Sequence, residues 1–131
     1  MTFDAERQYI ESRLESEWDY RTEIAWPSVE YTPENGVAFI RLTILTGEGT
    51  QITLGNSPTH RMVGIIDIDI FAPINQGSKI AREHADTAAA IFRNESFNGI
   101  QCKSASLTEI GEFDGWYQLK VSIPYYRDEI F

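Results

Sequence analysis

The side chains of this sequence best suited to chemistry are two histidines, one cysteine and two aspartates spaced two apart. His60 or His84 could act as a general base beside a nucleophile, with Ser57, Ser78 and Cys102 as the candidates. Neither serine lies in the Gly-x-Ser-x-Gly turn that lifts a hydroxyl above a sheet. Both histidines are therefore read as surface or helix-face residues. Cys102 has no second cysteine to bridge or to share a metal cluster. Asp67 and Asp69 alternate along a predicted strand, which puts both carboxylates on one face about 7 Å apart. That spacing would suit an acid/base pair or a divalent cation, but a cation needs more oxygen ligands than this stretch holds. The pair is read as lining a channel or a wet interface. Gly47-Glu48-Gly49 lacks the lysine and the following helix of a phosphate loop. No catalytic residue, cofactor or metal is assigned.

Something must position these residues, and the chain length limits what. At 131 residues, 42% of them hydrophobic, the chain is expected to form a single domain over 1–131, with a core that needs no staple. No apolar run is long enough to span a membrane, and Met1 to Glu6 does not read as a secretion signal, so synthesis in the cytoplasm is expected. The net charge of −9 would repel phosphates, so nucleic acid would pass without tight binding. Residues 1–30 hold eight of the acids and three bases, the composition of a solvated helix face.

Phe3, Ile10, Leu14 and Trp18 recur at helical spacing, which predicts an amphipathic helix from Phe3 to Trp18 with Thr2 as its N-cap. A short edge strand is predicted around Ala25 to Tyr31, between breaks at Pro27 and Pro33. Val37 to Thr46 alternates, turns at Gly47-Glu48-Gly49 and returns as Thr50 to Leu54, a hairpin. An exposed loop, Gly55 to Thr59, leads into the strand Arg61 to Phe71. Its Met62, Ile66, Ile68 and Ile70 share one face; Arg61, Val63, Ile65, Asp67, Asp69 and Phe71 share the other. Gly77-Ser78 opens a second helix to Phe92 with a stripe of Ile80, alanines, Ile91 and Phe92.

Ile100 to Lys103 is a candidate strand. Asp114-Gly115 is a two-residue hairpin turn joining Ser106 to Phe113 with Trp116 to Tyr125, in a register that faces Glu109 with Lys120, Ile110 with Leu119 and Phe113 with Trp116. Pro124 puts the end of the last strand at a sheet edge. Trp116, Tyr125, Tyr126 and Phe131 read as aromatics beside that edge. The expected architecture is α+β: two helices on a mainly antiparallel, twisted sheet, in the order helix, strands, helix, strands.

The run Arg61-Met62-Val63-Gly64-Ile65-Ile66-Asp67-Ile68-Asp69-Ile70-Phe71-Ala72-Pro73 is followed by Gly77, by an alanine-rich helix with Asp86 and Phe92, and by Gly115-Trp116-Tyr117-Gln118 leading to Ile123-Pro124-Tyr125. Together with the N-terminal helix and a Trp-Pro-containing strand, this resembles the tail terminator, or tail completion, proteins of lambda-like long-tailed bacteriophages over nearly the whole chain. The resemblance implies a non-enzymatic virion protein at the tail-neck junction. It would form a six-membered ring of its own copies, stop further addition of tail tube protein, and offer the surface that meets the head-tail connector. A head-tail adaptor or stopper would carry a similar order of elements, and a small enzyme or ligand-binding domain is the reading from a different class.

A closed ring needs two different complementary patches on each subunit. Three are offered by the sequence: the edge near Pro124 to Tyr126, the mixed face of Arg61 to Phe71, and the acidic first helix. The interface residues expected are Arg61, Asp67, Asp69, Trp116, Gln118, Tyr125 and Tyr126. The loops expected to touch the tube are Gly47, Glu48, Gly49 and Asn56, Ser57, Pro58, Thr59, and an acidic bore is assigned to Asp67, Asp69, Glu109 or Glu112.

Overall fold

The computed structural model describes residues 1–76 and 78–130. Gly77, read as opening the second helix, and Phe131, counted with the C-terminal aromatics, lie outside the described residues. Helix α1 spans Phe3–Trp18, and the Thr2 hydroxyl accepts from the Ala5 amide at 3.0 Å, satisfying one free donor of the first turn. Its buried stripe is Glu6, Ile10, Leu14 and Trp18. Phe3, expected on that stripe, is 56% exposed. Residues spaced by four climb one side of a helix, and Glu6 completes that series.

Strand β1 (Glu23–Ala25) shares only Ala25 with the strand expected over Ala25 to Tyr31 and stops before Pro27; it pairs parallel with β2 (Phe39–Gln51). The remaining pairings are antiparallel, so the sheet is mixed. Gly47-Glu48-Gly49 is not a turn. β2 runs through it against β3 (Thr59–Pro73), with pairing stepping from Thr46↔Gly64 to Gly49↔Met62. Two residues, Gly47 and Glu48, thus oppose Val63, a bulge that keeps both arms in one long hairpin. The chain reverses instead at 52–58, where the Ile52 amide donates to the Thr59 carbonyl at 2.8 Å. Thr59 itself opens the strand.

After a short 3-10 turn, Ile74–Gln76, helix α2 covers Ser78–Phe92 and buries Ala81, Ala85, Ala88, Ala89, Ile91 and Phe92. Ile80, expected in that stripe, is exposed. Small strands β4 (Ser96–Phe97) and β5 (Ile100–Cys102) follow, then β6 (Ser106–Phe113) and β7 (Trp116–Ile130). The sheet order is β1-β2-β3-β7-β5-β4, with β6 also on β7. Helix, strands, helix and strands follow one another as expected for this α+β chain.

The β6–β7 turn is Asp114-Gly115, both at positive φ, as a type I′ turn requires. The expected register holds from Phe113↔Trp116 to Gly111↔Gln118 and departs beyond it. A bulge between Glu109 and Gly111 places Glu109 opposite Leu119 and Thr108 opposite Lys120. Pro124 does not end β7. It sits mid-strand opposite Ile65, and its carbonyl accepts from the Lys103 amide at 2.8 Å. A residue's N and O leave a strand on the same side, so the missing N–H points at the seam where β6 stops and β5 begins. No β3 hydrogen bond is lost.

Both helices pack on one sheet face, over Ile40 and Leu42 of β2, Ile66, Ile68 and Ile70 of β3, and Leu119, Val121, Ile123 and Tyr125 of β7. Tyr125 takes the place a side chain on Gly64 would fill: a Cβ there would lie 2.5 Å from the phenol oxygen. Beyond it, Arg127 is wholly buried. Its Nε donates to Glu6 at 2.8 Å, its Nη1 to Glu129 at 2.8 Å and to the Met1 carbonyl at 3.1 Å, and its guanidinium lies 5.3 Å from the Phe3 ring centre. The end of the chain thereby clamps the start of α1.

Gly64→Ala is expected to cost about 1–3 kcal/mol by displacing Tyr125, read as a lowered urea midpoint. Arg127→Met leaves the Glu6 carboxylate buried without its partner and is expected to cost about 3–5 kcal/mol. Arg127 also sets a pH limb through its second partner, Glu129. The hydrogen bond from Arg127 holds the Glu129 carboxyl below its ordinary 4.5, so its contribution is complete above that pH and is lost as pH falls through the depressed value. A urea series from pH 6 to 3 is expected to show a shallower acid limb in Arg127→Met than in the parent.

Candidate functional site

With one sheet face under the helices, the opposite face carries the side chains that alternate with the core: Phe39 to Leu45 of β2, Arg61 to Phe71 of β3, and Trp116 to Asp128 of β7. It divides into three zones along the strands. Near the Pro73–Trp116 end, Phe39 stacks on Phe71 with ring centres 4.6 Å apart. Trp116 meets Phe39 edge-on at 5.2 Å, and Tyr31 closes the group at 5.0 Å. This is a small second core, so Trp116 is a packing residue as well as a rim residue.

The middle zone holds the aspartates. Asp67 is 6% exposed and Asp69 2%, which corrects the open acidic face expected of them. The Ser122 hydroxyl donates to Asp67 at 2.6 Å, and Gln118 Nε2 donates to Asp69 at 3.0 Å. Arg41 approaches the other Asp69 oxygen at 3.5 Å while lying over the Phe71 ring. Each aspartate sits on the central strand of three, flanked by Thr43 and Ser122 or by Arg41 and Lys120. The neighbours both cover and satisfy it. Gln118, expected at an interface, is buried in the same network. Glu109 and Glu112 are exposed on β6, and Tyr117 donates to Glu109 at 2.7 Å.

The third zone runs on toward the hairpin tip. Leu45 (49% exposed), Val63 (40%) and Ile65 (38%) form an aliphatic patch beside Pro124 and Tyr126, their neighbours across the ladder. Arg61 stacks on Tyr126 at 4.3 Å and grips Asp128 with two bonds of 2.9 and 3.1 Å. The Arg61 hydrogen bond holds the Asp128 carboxyl below its usual range. Leu54 at the tip is 93% exposed.

Of the seven interface residues read from the sequence, the structure brings Arg61 and Tyr126 together, links Asp69 to Gln118, and sets Asp67 and Trp116 apart from both. Tyr125 lies at 1% exposure in the helix-side core, because its odd position on β7 puts it on the same side as Ile123. The edge expected near Pro124 to Tyr126 is internal, held between β3 and β5. Glu6, Arg127 and Asp128 were not anticipated. The four-residue spacing of Glu6 from Ile10 was the one available signal, since the other two depend on the length of β7.

The groups considered for chemistry are dispersed. Burial pushes the Cys102 thiol up to about 11, which keeps it protonated at neutral pH. His84 packs 5.8 Å from the Trp18 ring, and burial lowers its pKa. His60 stands in β3 opposite Glu129. Among the described residues, no group of three or more His, Cys, Asp or Glu is placed to hold a metal ion, and no helix is long and apolar enough to cross a membrane.

Residues 7–125 match the family described as phage tail terminator protein. The chain belongs to that family. A solved protein chain of 20% sequence identity shares its fold at a TM-score of 0.71, the likeness covering all of this chain and 98% of the other. No curated protein matches it. Membership of the tail terminator family makes this a structural component of the phage tail and virion. The long sheet face, with its buried polar ties and exposed aliphatic patch, is the candidate assembly surface of that component.

Asp69→Ala strands Gln118 in a buried site and is expected to cost about 1–3 kcal/mol. Arg61→Ala, at an exposed pair, is expected to leave the midpoint where it is. Parallel urea titrations of the two variants check both.

Proposed function

We propose that copies of this chain close into a six-membered ring on the finished tail tube, end its growth and present the surface that joins the head. Membership of the tail terminator family over residues 7–125 carries this reading. Three features support it. The aliphatic patch of Leu45, Val63 and Ile65 is large-residue surface outside any core, the kind that marks an interface. The hairpin tip, 52–58, projects beyond the helices with Leu54 exposed, so it reaches toward a neighbouring tube subunit. A net charge of −9 lets DNA traverse the ring without the counterion release that makes binding tight.

The partners in this reading are other copies of the chain, the tail tube protein and the head-tail connector. The tube contact falls to Asn56, Ser57 and Pro58 at the tip. Glu48, with Gly47 and Gly49, stands behind it on the bulged strand. An adaptor or stopper role would place the protein on the connector without affecting the tube.

Purified tail tube protein is to be polymerised with and without this chain, and tube lengths measured by electron microscopy. Addition is expected to stop growth and leave a ring density at one end. Deleting Ser57 and Pro58 is expected to preserve rings in native mass spectrometry and abolish the stop. Unchanged tube lengths with the parent chain would overturn the terminator role.

A further inference from the structure

We infer that the ring is built by sheet continuation: the open edge of β2 in one subunit pairs antiparallel with the open edge of β6 in the next. This rests on the ring proposed above and names its contact.

Two edges of the sheet lack partners at this level. β1 covers β2 only at Phe39–Arg41, leaving Leu42 onward without a strand beside it among the described residues. β6 pairs only with β7. Leu42 to Thr46 carries no charge and no proline, the usual guards of an edge strand. The bulge at Gly47 and Glu48 comes only after it.

The second copy is the occupant because the strand directions require no reversal. The run β2-β3-β7-β6 has four strands, each antiparallel to its neighbour. Its two edge strands therefore point in opposite directions. Rotation about an axis inclined to the strands sets β6 of one copy beside β2 of the next in antiparallel sense with a stagger, and every copy repeats the contact head to tail.

Side-chain parity agrees. The cross-strand rows put Leu107 level with Val121, Ile68 and Leu42, all on the helix side. β1 blocks Arg41, so the incoming β6 must slide toward the hairpin tip. A slide of two residues sets Ser106–Glu109 beside Leu42–Leu45, clear of β1, keeps both faces in phase and brings Leu107 opposite Ile44; from the bulge between Glu109 and Gly111 onward β6 has to turn away from β1. Closing a sheet on itself demands such a stagger.

At Ile44 the helix side opens into a groove of about 490 Å³ walled by Phe3, Pro27 and Thr46. Phe3 is the residue whose exposure the helix pattern does not explain. Leu107 is 43% exposed and would enter that groove. In the same register Thr108 faces Thr43 on the opposite side of the sheet.

The test is a cysteine pair, Thr43→Cys with Thr108→Cys, which directly opposed antiparallel positions can bridge. Mild oxidation is expected to give a ladder of linked subunits up to the closed ring, absent from either single variant and reversed by reductant. Leu107→Lys is expected to raise the concentration for half-assembly at least tenfold with an unchanged melting temperature. Lys79→Glu, on the exposed start of α2, is expected to leave assembly unchanged. Rings in native mass spectrometry that neither cross-link nor respond to Leu107→Lys would overturn the edge pairing and leave the ring standing. Absence of rings, both free and at tube ends, would overturn both.

Discussion

The ladder between β3 and β7 is the constraint on which the molecule depends. It runs without interruption from Pro73↔Trp116 to Thr59↔Ile130, much longer than the five or six residues of an ordinary strand. Its helix side is covered from the Pro73–Trp116 end through Tyr125 to Arg127, which meets Glu6 at the start of α1. Because the two strands stay in register throughout, every residue along them is committed to one face, and a slip of one would exchange isoleucines for aspartates. The buried placement of Asp67 and Asp69 and the seating of Tyr125 on Gly64 are both consequences of that single register.

The ladder also brings the end of the chain back to its beginning. Arg127 reaches Glu6 only because β7 continues beyond Pro124, and Glu6 is accessible only because it shares a helical stripe with Ile10. Burying the guanidinium opposes its charge, but the hydrogen bonds to Glu129 and Glu6 outweigh that and raise its pKa. An ion pair of this kind adds little against a well-packed apolar substitute, yet removing one half is severe. It fixes where α1 lies against the sheet, and so fixes the wall of the groove beside β2.

What could be read in the sequence was local. The bounds of α1 and β6, the Asp114-Gly115 turn, and the alternation of Ile66, Ile68 and Ile70 all follow from periodicity and turn chemistry over a few residues. The misreadings arose where distant strands decide. Glycines around Glu48 suggest a turn until β3 is available to pair through them. Pro124 suggests an edge until the seam between β5 and β6 absorbs its missing donor. Aspartates on an alternating strand suggest water until Ser122, Gln118 and Arg41 arrive from its two neighbours. In the assembly surface, the face of Arg61 to Ile65 was legible from alternation. Its pairing with Asp128 was not, since 67 residues separate the partners.

An assembly protein of this kind faces opposing demands: it must hold its own fold while keeping adhesive edges available. Here the core and the Arg127 clamp satisfy the first demand without using the outer edge of β2. The second is limited by the bulge. Beyond Thr46 the backbone is kinked and Glu48 supplies a charge, so the pairable run is confined to about five residues. A run that short binds weakly alone, since each cross-strand pair contributes only about 0.2–1 kcal/mol. Adhesion becomes strong only when every subunit supplies both edges and the ring closes, so closed rings are favoured over short open chains.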